Sequence, residues 1–197
     1  KSYWYGDKSY VDLLYKGVTP KFMEITMKGY EKYNKEDFGN VLPGIFTDEP
    51  NLEAAMSRGT TFRWTPDLWN VFKERWGYDL RLNLPSLVTE TGDWRKVRHD
   101  YYETLLEMFV DRWAKPWSKY CEENNLLWTG HYLEHGWPKP THGFDESAFY
   151  IWHQVPGVDM LGNQLSDNGL GGQFGNTRAV RELLSAANQA GRNRTLS

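Results

Sequence analysis

Ten residues constrain this chain more than any others: Val41-Leu42-Pro43-Gly44-Ile45-Phe46-Thr47-Asp48-Glu49-Pro50. An apolar run of this length reads as a buried strand, which cannot carry charge in its middle. The two adjacent carboxylates must therefore sit at its mouth, and Pro50, with no N–H to continue a ladder, ends it. The C-terminal ends of parallel barrel strands are where α/β barrels keep their functional groups. Neighbouring strand residues point to opposite faces, so one of Asp48 and Glu49 aims into such a mouth. The other turns aside towards a loop or a basic neighbour.

Helix signals and short apolar runs alternate along the rest of the chain. Thr19-Pro20 predicts a helix start, and the segment from Pro20 to about Tyr33 carries Phe22, Ile25, Met27 and Tyr30. Thr65-Pro66 opens a second helix with Leu68, Val71, Phe72 and Trp76, stopped by Gly77. A long helix is expected from about Asp93 to Asn124, with Tyr101, Leu105, Phe109 and Trp113 on one stripe and Pro116 kinking or dividing it. Strands are expected at Val41 to Thr47, Leu126 to Tyr132, Val158 to Leu161 (launched by Pro156-Gly157) and Asn193 to Ser197. An Ala- and Leu-rich helix from Thr177 to Ala190 ends at Gly191. Strands separated by helices imply βαβ units and a parallel sheet. With no internal repeat or linker, residues 1–197 read as a single α/β domain. It is expected to form a partial (β/α)8 TIM barrel of about four units, a whole barrel needing ~250 residues. An open doubly wound sheet is the alternative, but no strand is followed by a Gly-rich phosphate loop.

Composition removes several function classes. A net charge of −3 over 197 residues offers no basic field for nucleic acid. No stretch approaches the ~20 apolar residues of a membrane span, so no membrane partner is expected. The lone Cys121 rules out an internal disulfide framework. Asn193-Arg194-Thr195 fits a glycosylation acceptor but lies in an expected strand. The 10 Trp, 12 Tyr and 9 Phe suit the apolar faces of sugar rings, and equally a packed core. Both ends read as cut from a larger pattern. The expected partners are a glycoside or oligosaccharide, and the remainder of its own barrel or another copy joined through exposed strand edges.

Other polar groups gather near the expected strand ends. His131-Tyr132-Leu133-Glu134-His135 matches the H-x-x-E-H zinc pattern, which requires a helix so that residues four apart share a face. Here the flanks read as strand and loop, where such residues are ~13 Å apart, so no zinc is expected. His131 and Glu134 read instead as polar groups at the mouth of the second strand, or as a structural His and a surface Glu. Asp159, inside an apolar segment, must face a cavity or pair with a buried Arg. Trp152 and His153 are candidates for a sugar-stacking wall, and Asn163 and Gln164 for donors to hydroxyls. The stretch from Asn168 to Gly175 lacks GK[ST] and reads as a loop rather than a phosphate cradle.

Taken in order, Gly44-Ile45-Phe46-Thr47-Asp48-Glu49-Pro50-Asn51, Thr129-Gly130-His131 through Glu134, Pro156-Gly157-Val158-Asp159 and Arg194-Thr195-Leu196-Ser197 resemble the bacterial α-L-rhamnosidase family 106 of glycoside hydrolases. The resemblance covers most of this chain but only the central barrel region of those longer enzymes. It implies barrel strands 4 to 7, hydrolysis of terminal α-L-rhamnose or a similar sugar with inversion, and dependence on calcium. It also favours a periplasmic or extracellular parent. It makes Glu49 the catalytic acid, and implies a second carboxylate directly after Leu196-Ser197, so that the isolated piece would be inactive. Asp48, His131, Glu134, Trp152, His153, Asp159 and Asn163 are the expected substrate-binding residues. A non-catalytic carbohydrate-binding barrel and a zinc metallohydrolase using His131 and His135 are the alternatives.

Overall fold

The computed structural model describes residues 6–8, 10–52, 62–132, 145–159 and 173–196. Its centre is a parallel sheet of three short strands in the order β1 (Gly44–Thr47), β2 (Leu127–Gly130) and β3 (Val155–Pro156). The register sets Thr47 beside Gly130, and Gly130 beside Pro156. A fourth segment continues the sheet through a parallel bridge between Gly157 and Leu196. Pro156 has no N–H to give, but its carbonyl accepts from the Leu196 N–H at 2.9 Å, and the Val158 N–H returns to the Leu196 carbonyl at 3.0 Å. The mixed α/β class and the parallel sheet are as the sequence implied. The third strand lies three residues earlier than expected, because the ladder passes through Pro156-Gly157 instead of starting after it.

Helices fill the connections: α1 (Val18–Asn34), α2 (Leu68–Trp76), α3 (Leu84–Val88), α4 (Trp94–Phe109), α5 (Lys115–Glu123), α6 (Ser147–Tyr150) and α7 (Gln173–Gln189). Gly77 closes α2 in the left-handed region at φ 77°, where a side chain would be strained. Helices α4 and α5 are one rod interrupted by a π turn at Val110–Ala114, where the Lys115 N–H reaches back to the Val110 carbonyl. Pro116, in the first turn of α5, cannot donate to the preceding turn, and the π turn is the local accommodation. The stripe Tyr101, Leu105, Phe109 and Trp113 is buried along its whole length, four-residue spacing keeping it on one face.

The core lies between β2 and the α4–α5 rod. Trp117 and Trp128 stack with ring centroids 6.3 Å apart, and Phe109 meets Phe149 edge-on at 4.8 Å. Each such fully buried aromatic adds roughly 1.5–3 kcal/mol. The Arg112 guanidinium ties the periphery to this rod, donating to both Asp67 carboxylate oxygens at 2.9 and 2.8 Å and to the Leu14 carbonyl. Those bonds hold the Asp67 carboxyl below its usual range.

One expectation fails: strand β1 is not a buried strand, since Gly44 and Phe46 are exposed. On α1, which packs beside α5, Phe22, Ile25 and Tyr30 are likewise exposed and Met27 is buried. These residues line a groove of about 900 Å³ between α1 and the open edge of β1, ending at Asp48 and Glu49.

Candidate functional site

Parallel pairing brings the C-terminal ends of the three strands together, and with them polar residues that lie just beyond each. Glu49 follows β1, His131 follows β2 and Asp159 follows β3. One ligand atom from each lies within 4.8 Å of the other two. His131 is buried, while Glu49 and Asp159 are half-buried.

The pleat separates the two acids that sequence alone could not assign. Asp48 turns to His131, with its Oδ1 2.9 Å from Nε2, and its side chain stays 82% exposed. The other ring nitrogen, Nδ1, faces the Tyr132 carbonyl at 2.9 Å. A carbonyl only accepts, so Nδ1 carries a hydrogen and the imidazole is fixed in orientation. Asp48 is therefore the neighbour of the histidine, and the carboxylate facing Glu49 is Asp159, not Asp48 as its sequence position suggested.

A glycine makes this approach possible. Gly130 precedes His131 at φ 142°, and a Cβ there would stand 2.0 Å from the Thr47 carbonyl oxygen. The same strands are pinned by the Trp128 Nε1–H, which donates to Thr47 Oγ1 at 2.9 Å. The signal was present in the sequence as a glycine at a strand end, which marks close backbone approach.

Trp152 and His153 sit elsewhere. They precede β3, at the end opposite the Glu49 cluster. His153 is fully buried, its ring 3.9 Å from that of Trp128, with the Tyr132 hydroxyl 3.1 Å from Nε2. Burial, reinforced by the charge of Arg192, pushes its pKa down to about 3. A neutral core imidazole with no exposed surface cannot stack on a sugar, so that expectation is corrected. Trp152 is half-buried with the Lys115 ammonium 5.3 Å from its ring centre, and it belongs to the same strand-start side. Glu134, His135, Asn163 and Gln164 lie outside the described residues.

The donor set can be weighed against the calcium that the family resemblance implies. Calcium takes typically about six to eight oxygen ligands. Here one of three converging groups is an imidazole, and the Asp48 carboxylate is engaged with that imidazole. The trio does not fit calcium.

No protein-family model matches the sequence, and no curated protein does. Among solved structures, the chain is similar to a rhamnosidase from Novosphingobium sp. PP1Y at 20% sequence identity with a TM-score of 0.71. The match covers 94% of this chain and 17% of that enzyme, so this chain spans only a small part of its length. At that identity the likeness is one of fold: the path of this chain follows a portion of a rhamnosidase.

Proposed function

We propose that this chain is the central part of a (β/α)8 glycoside hydrolase barrel, acting on terminal α-L-rhamnose or a similar sugar, with Glu49 as the proton donor. The observation that carries the reading is the meeting of Glu49, His131 and Asp159 at the ends of three adjacent parallel strands. The fold likeness to a rhamnosidase supports it. So does the groove beside β1, whose apolar walls and open strand edge suit the remaining strands of a barrel.

Glycosidic cleavage needs a protonated carboxylic acid at the leaving oxygen while the ring gains positive charge. Glu49 stands at the strand ends with the Asp159 carboxylate within 4.8 Å of it. Asp159 is too close to be the water-activating base of an inverting pair, which stands roughly 6.5–9.5 Å from the acid. The water-activating base is therefore a different carboxylate from Asp159. Asp48 orients the His131 ring, which lies within 4.8 Å of both acids.

The test is turnover of aryl glycosides by a complete barrel carrying this chain. Glu49→Gln should lower kcat by about 10²–10⁴, the usual contribution of a general acid. Unchanged turnover on every glycoside tried would remove Glu49 from the chemistry.

A further inference from the structure

Glu49, His131 and Asp159 form a donor set of two carboxylates and one imidazole at three strand ends, within 4.8 Å of one another. We infer that these three residues bind a divalent cation of the zinc class, in preference to calcium, and that this cation opposes the proposed acid by occupying Glu49. The first part rests on geometry alone. The inhibitory consequence rests on the proposed role of Glu49.

Three features favour the zinc class. A mixed nitrogen and carboxylate set suits zinc and its neighbours, whereas calcium selects oxygen. His131 has part of the arrangement of a metal-ligating histidine: Nδ1 faces the Tyr132 carbonyl at 2.9 Å, which orients the ring, and Nε2 is the nitrogen on the side of the Asp48 carboxylate. The group now opposite Nε2 is the Asp48 carboxylate, which is 82% exposed and can swing into water when the cation takes its place. This set is distinct from the H-x-x-E-H reading, since it draws one residue from each strand and does not use His135.

A cation held by Glu49 occupies the carboxylate that the proposed acid would present to a leaving group, so binding and catalysis compete for the same side chain. Failure of zinc to bind leaves the acid role of Glu49 intact, and an active Glu49→Gln enzyme leaves zinc binding intact.

The experiment is calorimetric titration of the metal-free protein with zinc chloride and, separately, calcium chloride, with circular dichroism confirming that each variant is folded. One equivalent of zinc is expected, with calcium at least about tenfold weaker. His131→Gln and Asp159→Asn should each weaken zinc by about 10–100-fold. Asp48→Asn should bind zinc as well as the parent or better, and His135→Gln should be unchanged. In the active barrel, zinc should lower turnover and EDTA should restore it. Calcium binding as tightly as zinc overturns the inference. So does zinc affinity that follows His135 instead of Asp159, or the absence of zinc binding.

Discussion

Gly130 is the residue on which the candidate site depends most directly, although it takes no part in any chemistry. A methyl group there would meet the Thr47 carbonyl at 2.0 Å, so β1 and β2 must separate or the turn into His131 must change. Gly130→Ala is expected to cost more than ~2 kcal/mol, since it combines a positive-φ penalty with a backbone clash. Urea denaturation checks this; a midpoint equal to that of the parent would contradict it. At this scale the sequence was partly legible. Glu49 could be picked out because an apolar strand ending in two acids has few uses. Its partner could not: Asp159 is 110 positions away, and only the register of β2 and β3 brings them together. Asp48 looked like the closer influence because sequence adjacency hides the pleat, which sends it to His131 instead. His153 misled for a related reason. A His beside a Trp can stack on a sugar or fill a core, and burial decides between them.

The elements were readable where a local rule is strong. Gly77 stops α2 and Pro116 coincides with the break in the long rod, both through backbone chemistry that needs no tertiary information. Strand limits were less readable, since a two-residue strand such as β3 is defined by its neighbours in the sheet, not by its own propensity. The apolar residues of α1 line the groove: periodicity identifies an apolar face without saying what covers it. The Arg112 clamp belongs to this scale, joining the π turn to Asp67 at the start of α2 and to the Leu14 carbonyl. Arg112→Ala should destabilise by about 1.5–3 kcal/mol, because bonds to charged groups are lost and Asp67 keeps a half-buried charge. Thermal denaturation checks it, and an Arg112→Lys variant should recover only part of the loss, since an ammonium cannot bridge both carboxylate oxygens. No change in either variant would contradict the role of the clamp.

Across the whole molecule, the His153 core sets a pH limit on stability. Its pKa falls from the ordinary 6.5 to about 3 on folding, so the unfolded chain binds the proton more readily. The resulting stability is fully present above pH ~6.5 and declines as pH falls towards 3, approaching ~1.4 kcal/mol per pH unit. Urea midpoints measured from pH 7 to pH 4 should show this slope, and His153→Gln should flatten it even if it lowers stability at pH 7. A slope unaffected by the substitution would assign the effect elsewhere. The central claim concerns Glu49, and leaving-group dependence tests it most directly. A good leaving group departs without a proton, so only poor ones need the acid. In a complete barrel carrying this chain, Glu49→Gln should lose about 10²–10⁴ in kcat/KM on alkyl rhamnosides and far less on dinitrophenyl rhamnoside. An equal loss on both, or no loss on either, would contradict the assignment of Glu49 as the proton donor.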